Sequence, residues 1–251
     1  MADINPVCKF ALIIGINYVG TGYDLNGCLN DAKNMVEFLV SKRGYLRKNI
    51  TIITDETPSK PFSLNIQNAI SDLVNLSLTR GARELWLHYS GHGTYVKDLN
   101  KDEKDGRDEC IVPMDFIKKG FITDDKLNQL IMKIPSVCRM VCMFDSCYSG
   151  TVLDLKYTAD INNAVSIDNS KSNILGKVVM ISGCTDTQTS ADAWMNGKWA
   201  GAMTNSFLAC YSPGVTYFDL AVKMRNYLKA RGFTQSPRVC SSFLLTKKDL
   251  I

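Results

Sequence analysis

The chain alternates between apolar runs of strand length and longer stretches with helical spacing, and this rhythm constrains its fold most. The first run, 9–17, is continuously apolar until it ends in a turn, which is typical of a strand covered on both faces. Similar strand patterns occur at 49–54, 84–89, 138–144, 176–181 and 238–245, and helical patterns occur at 28–42, 64–78, 123–133, 201–211 and 216–231. Repeated strand–helix units predict an α/β fold with a mostly parallel central sheet of six or more strands and helices on both faces.

Length and composition fit one soluble globular domain. The 251 residues are 45% hydrophobic and 22% charged, which excludes collagen-like, low-complexity and disordered chains. Two long stretches, 95–120 and 156–173, fall outside the strand–helix rhythm, and we expect the polar second one to be an exposed loop. No repeat or linker divides the chain, so we expect a single domain over 1–251.

The net charge and the length of the apolar runs limit the kinds of partner that the chain can have. The net charge of +4 is too small to predict nucleic-acid binding, although residues 98–125 carry a local acidic excess. We see no secretory signal and no apolar stretch approaching the roughly 18 residues that span a bilayer. We therefore expect a cytoplasmic protein without a membrane partner, whose nine cysteines are free thiols.

Both histidines of the chain lie close together, and His92 follows the third predicted strand in a glycine-flanked turn. Catalytic groups in open α/β sheets gather at the carboxyl ends of strands, so His92 is a candidate. Two buried structural histidines are the alternative. A zinc site through His88 and His92 is weaker, because the Glu of HExxH is missing and the segment has a strand pattern.

Cys147 follows the next parallel strand in a turn that contains Ser and Gly. If the two strands are neighbours, Cys147 and His92 face one cleft, and a Cys beside a His is the minimal arrangement for nucleophilic attack on a carbonyl. The alternative for any one cysteine is burial as a small hydrophobe, which we assign to Cys138 and Cys142 inside the strand. A thiol-based metal or redox protein is disfavoured because no pair has CxxC spacing.

Several sequence blocks together resemble a known family. The blocks are HYSGHG at 88–93, DSCYSG at 145–150, NGCLNDA at 26–32, DGRDE at 105–109, TVLDL at 151–155 and SGCTDTQTSAD at 182–192. Their order and spacing resemble the metacaspases of the caspase-like cysteine peptidase clan. The resemblance implies a caspase-like sandwich, with a large-subunit-like part at about 1–155 and a small-subunit-like part at 174–251. It corresponds to a type I catalytic core without a pro-domain.

The resemblance implies the following chemistry. Cys147 is the nucleophile, His92 is the general acid and base, and the intermediate is a thioester. The backbone N–H groups of Gly93 and Cys147 hold the oxyanion. A catalytically silent caspase-like scaffold is the competing hypothesis, and the presence of both catalytic residues counts against it.

The resemblance also implies a substrate pocket that is acidic or small. Its candidate residues are Cys28, Asp31, Ser90 and Asp145. Carboxylates at a pocket floor suit a guanidinium, so we expect cleavage of peptides and proteins after Arg or Lys, and rejection of Asp.

By the same resemblance, Ca²⁺ is an activator that takes no part in the chemical step. Its ligands correspond to Asp108, Asp124, Asp125 and Asp154, which offer the oxygen donors that Ca²⁺ takes. A solvated acidic loop with Asp124 and Asp125 at a helix N-terminus is the alternative.

Self-cleavage and the oligomeric state are further expectations. Lys171 is the foremost candidate for self-cleavage because its surroundings are polar, and Lys156 and Lys177 are the others. The family's members tend to be monomers, and we expect the same here.

Overall fold

The computed structural model describes residues 8–97, 106–160, 162, 164–169, 172–184, 192–195 and 198–251. At 184 and 192–195 only the backbone is described. An eight-stranded sheet organises the fold. Its strands are β1 (Lys9–Gly15), β2 (Ile50–Thr54), β3 (Glu84–Ser90), β7 (Arg139–Asp145), β8 (Tyr157–Ala159), β9 (Val165–Ile167), β10 (Lys177–Cys184) and β13 (Ser236–Ser241). They lie in the order β2-β1-β3-β7-β10-β13-β8-β9, of which the first five are parallel.

Helices cover both faces of this sheet, as the alternating pattern predicts. They are α1 (Cys28–Arg43), α2 (Ser63–Thr79), α3 (Phe116–Lys119), α4 (Asp124–Ile131), α5 (Ala202–Cys210) and α6 (Tyr217–Lys229), and a 3-10 turn spans Arg47–Asn49. Apolar residues of α2 and α4 form one core with the sheet, and those of α1, α5 and α6 form a second core on the opposite face. The α/β prediction with helices on both faces is confirmed.

Two smaller sheets complete the fold. A three-stranded sheet combines β4 (Gly93–Lys97), β5 (Arg107–Ile111) and β6 (Ile122–Thr123), and a hairpin joins β11 (Asp192–Met195) to β12 (Lys198–Gly201). The sequence patterns did not predict β6, β11 or β12. The three-stranded sheet begins at Gly93, the residue that follows His92, so it lies beside the carboxyl end of β3.

The stretch 156–173 differs from the expected exposed loop. It contains β8 and β9, and β8 pairs antiparallel with β13, so the chain returns to extend the main sheet at its edge. Ala159 is accordingly buried. Three-residue strands in a polar stretch lack the periodicity that would have predicted them.

None of the helices in the described ranges combines the length and apolar character that crossing a membrane requires.

Candidate active site

The carboxyl ends of β1, β3 and β7 form the edge of the sheet where the candidate residues meet. β3 pairs with both β1 and β7, and Ser90 lies opposite Asp145 in the register. The condition attached to the His/Cys prediction is therefore met, because the strands that precede His92 and Cys147 are direct neighbours.

His92 lies in the turn between β3 and β4, and its ring is held by the main chain of another loop. Its Nε2 is 2.8 Å from the carbonyl oxygen of Tyr23. A carbonyl oxygen only accepts hydrogen bonds, so Nε2 carries the hydrogen and Nδ1 is the nitrogen left to take or give a proton. Sequence analysis named no group that orients His92; Tyr23 supplies one through its backbone carbonyl, which no side-chain pattern reveals.

The main chain around His92 is held by two buried tyrosines. The backbone N–H of His92 donates to the Tyr18 hydroxyl at 3.0 Å, and the Tyr89 hydroxyl donates to the His92 carbonyl oxygen at 2.6 Å. The Tyr18 ring also contacts the imidazole, with 4.7 Å between ring centroids. Sequence reasoning missed Tyr18, although it follows β1 at the same edge of the sheet.

Cys147 lies in the turn after β7 and is 9% exposed. The next residue, Tyr148, has a φ of 47°, a left-handed conformation that is uncommon for a residue with a side chain. Such strained backbone tends to occur at functional sites.

Gly93 places a backbone N–H group beside this turn. A Cβ added at Gly93 would lie 1.9 Å from the Cys147 carbonyl oxygen, so only glycine fits. Val112 N–H donates to the His92 carbonyl oxygen, and Gly93 is paired with Ile111 one position further along the ladder. Since hydrogen-bonded and non-hydrogen-bonded pairs alternate in antiparallel ladders, the Gly93 N–H points away from β5. That N–H is available to an oxyanion.

Two buried carboxylates converge next to the turns that carry His92 and Cys147. Asp31, in the first turn of α1, and Asp145, at the end of β7, are each 1% exposed. A Cβ added at Gly201 would lie 2.6 Å from Asp31 Oδ2 and 2.2 Å from Asp145 Oδ2. The two carboxylates therefore both lie against Gly201 at the end of β12.

Hydrogen bonds hold both carboxylates in place. The Gly201 N–H donates to both oxygens of Asp31, and the Ser90 hydroxyl donates to Asp31 Oδ2 at 2.8 Å. The Thr204 N–H donates to Asp145 Oδ2 at 2.7 Å. The structure thus brings three of the four predicted pocket residues together, and it adds Gly201 and Thr204, which the sequence analysis did not identify.

The fourth predicted pocket residue, Cys28, is buried at the start of α1. Its backbone N–H donates to the Asn17 side chain at 3.0 Å, and its thiol lies near enough to the Tyr18 and Tyr89 hydroxyls to interact with them electrostatically. Cys28 therefore adjoins the tyrosines that hold His92.

His88 is a structural residue behind this pocket. It is fully buried, and its Nε2 lies 3.1 Å from the Thr204 hydroxyl. Burial lowers the pKa of His88 to about 3, so the ring stays neutral. Of the two histidines, only His92 lies at the cleft.

The predicted calcium ligands come from three adjacent elements. Asp108 is on β5, Asp124 and Asp125 open α4, and Asp154 follows the nucleophile turn with a φ of 46°. Asp124 and Asp154 are buried, whereas Asp125 is exposed. Burial and the charges of Asp124, Asp108 and Glu109 raise the pKa of the Cys110 thiol on β5 to about 12.

Hydrogen bonds connect this acidic segment to the nucleophile turn. Asp124 Oδ2 accepts the Glu109 N–H at 2.6 Å, and Glu109 Oε2 accepts both the N–H and the hydroxyl of Thr151. Within the described part of the chain, no three His, Cys, Asp or Glu side chains are arranged as a metal site. The carboxylate oxygens of this segment are donors of the type that suits Ca²⁺.

The remaining thiols fit packing roles. All the cysteines whose side chains are described are free. Burial raises the pKa of Cys138, Cys142 and Cys240, so these groups stay protonated and unreactive.

The three candidate self-cleavage lysines differ in their surroundings. Lys171 lies outside the described residues. Lys156 is half-buried just before β8, and its carbonyl oxygen accepts the Asp168 N–H. Lys177 begins β10 and is paired with Arg139 of β7 in the middle of the sheet.

Comparisons with known proteins agree with this geometry. The family described as metacaspase, peptidase C14 domain, matches residues 9–156. Curated proteins named Metacaspase-1 from Candida glabrata, Yarrowia lipolytica and Debaryomyces hansenii are 34%, 35% and 36% identical over 92%, 93% and 93% of this chain. The chain spans 72%, 61% and 64% of their respective lengths.

Solved structures share the fold. A Geobacter sulfurreducens protein, GSU0716, has a TM-score of 0.66 at 23% identity, with 96% of both chains covered. Caspase-1 from Spodoptera frugiperda has a TM-score of 0.59 at 12% identity and covers 97% of this chain and 89% of its own. The central sheet and its helices therefore form a caspase-like fold.

Proposed function

Because the chain belongs to the metacaspase family of caspase-like cysteine peptidases, we propose that it is a calcium-dependent endopeptidase that cleaves after Arg or Lys. The observation that carries the specificity is the convergence of Asp31 and Asp145 on Gly201. A guanidinium or ammonium group that approached this point would meet two carboxyl groups, whereas an Asp side chain would be repelled.

The catalytic cycle follows from the placement of His92 and Cys147. The Cys147 thiolate attacks the carbonyl carbon of the substrate, and the resulting oxyanion receives hydrogen bonds from the N–H groups of Gly93 and Cys147. His92 then gives a proton from Nδ1 to the leaving amine as the peptide bond breaks, which leaves a thioester on Cys147. A water molecule deprotonated by His92 hydrolyses the thioester and restores the thiolate.

The hydrogen bond between His92 Nε2 and the Tyr23 carbonyl suits this cycle. It keeps the ring oriented when Nδ1 is neutral and when it is protonated, because Nε2 donates in both forms.

Calcium enters the proposal as an activator held by Asp108, Asp124, Asp125 and Asp154. When bound, it would supply positive charge to a segment whose acids already interact around Cys110. The chain's own contribution is the link from Asp124 through Glu109 to Thr151, four positions beyond the nucleophile. Calorimetric titration with Ca²⁺, comparing wild type with Asp124→Asn, measures binding independently of activity; wild-type protein that binds no calcium would refute this part.

Activity is tested with short fluorogenic peptides ending in Arg, Lys or Asp, with and without millimolar Ca²⁺. We expect cleavage after Arg and Lys only, its loss in Cys147→Ala, and its retention in Cys210→Ala, which removes another thiol. Cleavage after Asp would overturn the pocket assignment. No cleavage under any condition would favour the alternative, a catalytically silent scaffold.

The pocket charge is tested separately with Asp145→Asn, beside Asp72→Asn on the exposed face of α2. Removing one buried carboxylate leaves the guanidinium with one charged partner. We expect KM for Arg peptides to rise in Asp145→Asn and to stay unchanged in the control.

A further inference from the structure

The Tyr18 side chain makes three hydroxyl contacts and a ring contact beside the turn that carries His92, and the described cycle makes no use of it. It follows β1 and is fully buried, and its φ of 55° is left-handed. A bulky residue in this region of the backbone map is an outlier, and such strain persists where the surrounding structure determines it.

The Tyr18 hydroxyl holds the turn that carries His92. It donates to the Val112 carbonyl oxygen at 2.6 Å and accepts the His92 backbone N–H at 3.0 Å. It also lies 3.1 Å from the Tyr89 hydroxyl, which in turn donates to the His92 carbonyl oxygen at 2.6 Å. The N–H and the C=O of His92 are thereby both bound by tyrosine hydroxyls.

The space around these hydroxyls leaves no room for adjustment. A Cβ added at Gly91, the residue before His92, would lie 2.8 Å from the Tyr89 hydroxyl oxygen and 2.9 Å from that of Tyr18. The Tyr18 ring packs on the imidazole itself, at 4.7 Å between centroids and 38° between planes. The turn therefore contacts Tyr18 through its main chain, through Gly91 and through the His92 ring.

We propose that Tyr18 is the positioning residue for His92: its hydroxyl fixes the main chain of the turn and its ring limits the rotation of the imidazole. This inference deepens the proposed peptidase function, on which it rests. Burial raises the pKa of the Tyr18 hydroxyl well above its ordinary value, so the group stays a neutral hydrogen-bond donor.

The expected effect depends on the leaving group of the substrate. An amide needs a proton from His92 as the C–N bond breaks, whereas an activated ester expels a stable alkoxide or phenolate with little help. Proton transfer by a well-placed side chain contributes about 10²–10⁴-fold. Loss of the Tyr18 hydroxyl should lower kcat/KM for the amide by about 10- to 100-fold. It should lower kcat/KM for the ester much less.

The first measurement compares kcat/KM, which reports the acylation step and not the shared hydrolysis of the thioester, for an Arg amide and the matching Arg nitrophenyl ester in Tyr18→Phe. The control is Tyr45→Phe, which removes an equally buried hydroxyl that donates to Glu84 at the opposite end of β3. We expect the amide-to-ester ratio to fall in Tyr18→Phe and to stay at the wild-type value in the control. An unchanged ratio in Tyr18→Phe overturns the proposal, because a merely structural loss lowers both rates together.

The second measurement needs no turnover. The chain has only two histidines, so ¹⁵N NMR of histidine-labelled protein resolves His92, with His88 as internal reference. We expect the single Nε2–H form in wild type and averaged forms of His92 in Tyr18→Phe, with His88 unchanged. A His92 signal that stays in the single form overturns the proposal. Absence of wild-type amide and ester turnover would instead refute the peptidase function, and NMR would still decide the role of Tyr18.

Discussion

The main chain of Gly93 lies directly against that of Cys147, with no space between them for even a methyl group: a Cβ at Gly93 would lie 1.9 Å from the Cys147 carbonyl oxygen. The two turns that carry the catalytic pair are thus in contact through their backbones. Side-chain chemistry between His92 and Cys147 depends on this contact.

Gly93→Ala should therefore inactivate the enzyme. The methyl group must push the two turns apart, which displaces the Gly93 N–H from the oxyanion; losing one such donor costs about 10²–10³-fold in turnover. The measurement is kcat on an Arg amide, with circular dichroism to verify folding. Folded Gly93→Ala protein with wild-type turnover would contradict the proposed oxyanion role.

Gly201→Ala tests the acidic pocket without changing a charge. Gly201 has a φ of −69°, which alanine adopts freely, so any effect comes from the added methyl group between Asp31 and Asp145. We expect kcat/KM for Arg peptides to fall at least about tenfold, which corresponds to about 1.4 kcal/mol.

A matched control for this change is Gly183→Ala on β10, where the added methyl group would meet only the side chain of Met203. We expect it to leave KM for Arg peptides unchanged, whatever it costs in stability. Equal KM values for the two variants would show that Gly201 does not border the substrate pocket.

Glu109→Ala should uncouple the acidic segment from the nucleophile turn. The variant loses the acceptor for the N–H and the hydroxyl of Thr151, while the Glu109 N–H remains to bind Asp124. We expect lower kcat and a higher calcium concentration for half-maximal activity. The control is Glu56→Ala, which removes an exposed ion pair with Lys33; a calcium dependence shared by both variants would contradict the coupling.

His88 should make the fold sensitive to acid. Its pKa is about 3 in the folded protein and about 6.5 when unfolded, so the unfolded chain binds an extra proton between these values. The free energy of unfolding therefore has its full value, as far as His88 is concerned, above about pH 6.5. It falls by about 1.4 kcal/mol per pH unit as the pH drops toward 3.

The substitution His88→Gln keeps a group that can bond to Thr204 and removes this titration. We expect its urea-unfolding free energy to fall less than that of wild type between pH 7 and pH 4. Parallel losses in the two proteins would mean that His88 is not the group that titrates.

Self-cleavage should spare Lys177. A peptidase needs its substrate strand extended and free, whereas the backbone of Lys177 is paired with that of Arg139 on β7 and would be freed only by unfolding the start of β10. After incubation with calcium, we expect N-terminal sequencing to find fragments that begin after Lys171. A fragment that begins after Lys177 would contradict this, and Lys171→Ala should remain uncut.

The main sheet was predictable because each of its long strands is an apolar run of the right length, followed by helical spacing. The sequence also placed His92 and Cys147 after the carboxyl ends of two strands, but that these strands are neighbours was a condition that the sheet order meets. The pocket residues Asp31 and Asp145 were identified only through the family resemblance. In the sequence alone, a buried aspartate of a pocket cannot be told from an aspartate that caps a helix.

Other parts of the site could not be read from the sequence. Tyr23 acts through its carbonyl oxygen, and Gly201 and Thr204 act through backbone N–H groups, so their side chains give no signal. The bond between Glu109 and Thr151 joins residues that are far apart in the chain. Tyr18 is the exception, because its position after β1 at the same edge of the sheet could have identified it as a candidate.

The strand order has a consequence for a cleaved chain. β10 and β13 follow position 171, yet they lie between β7 on one side and β8 and β9 on the other, all of which precede it. After a cut behind Lys171, the second fragment would therefore still pair with the first through two strand pairs of the sheet. One is β10 with β7, and the other is β13 with β8. The cleaved product would elute as one particle in gel filtration, and its two fragments would separate only in denaturant. The denaturant concentration at the midpoint of this separation would depend on protein concentration.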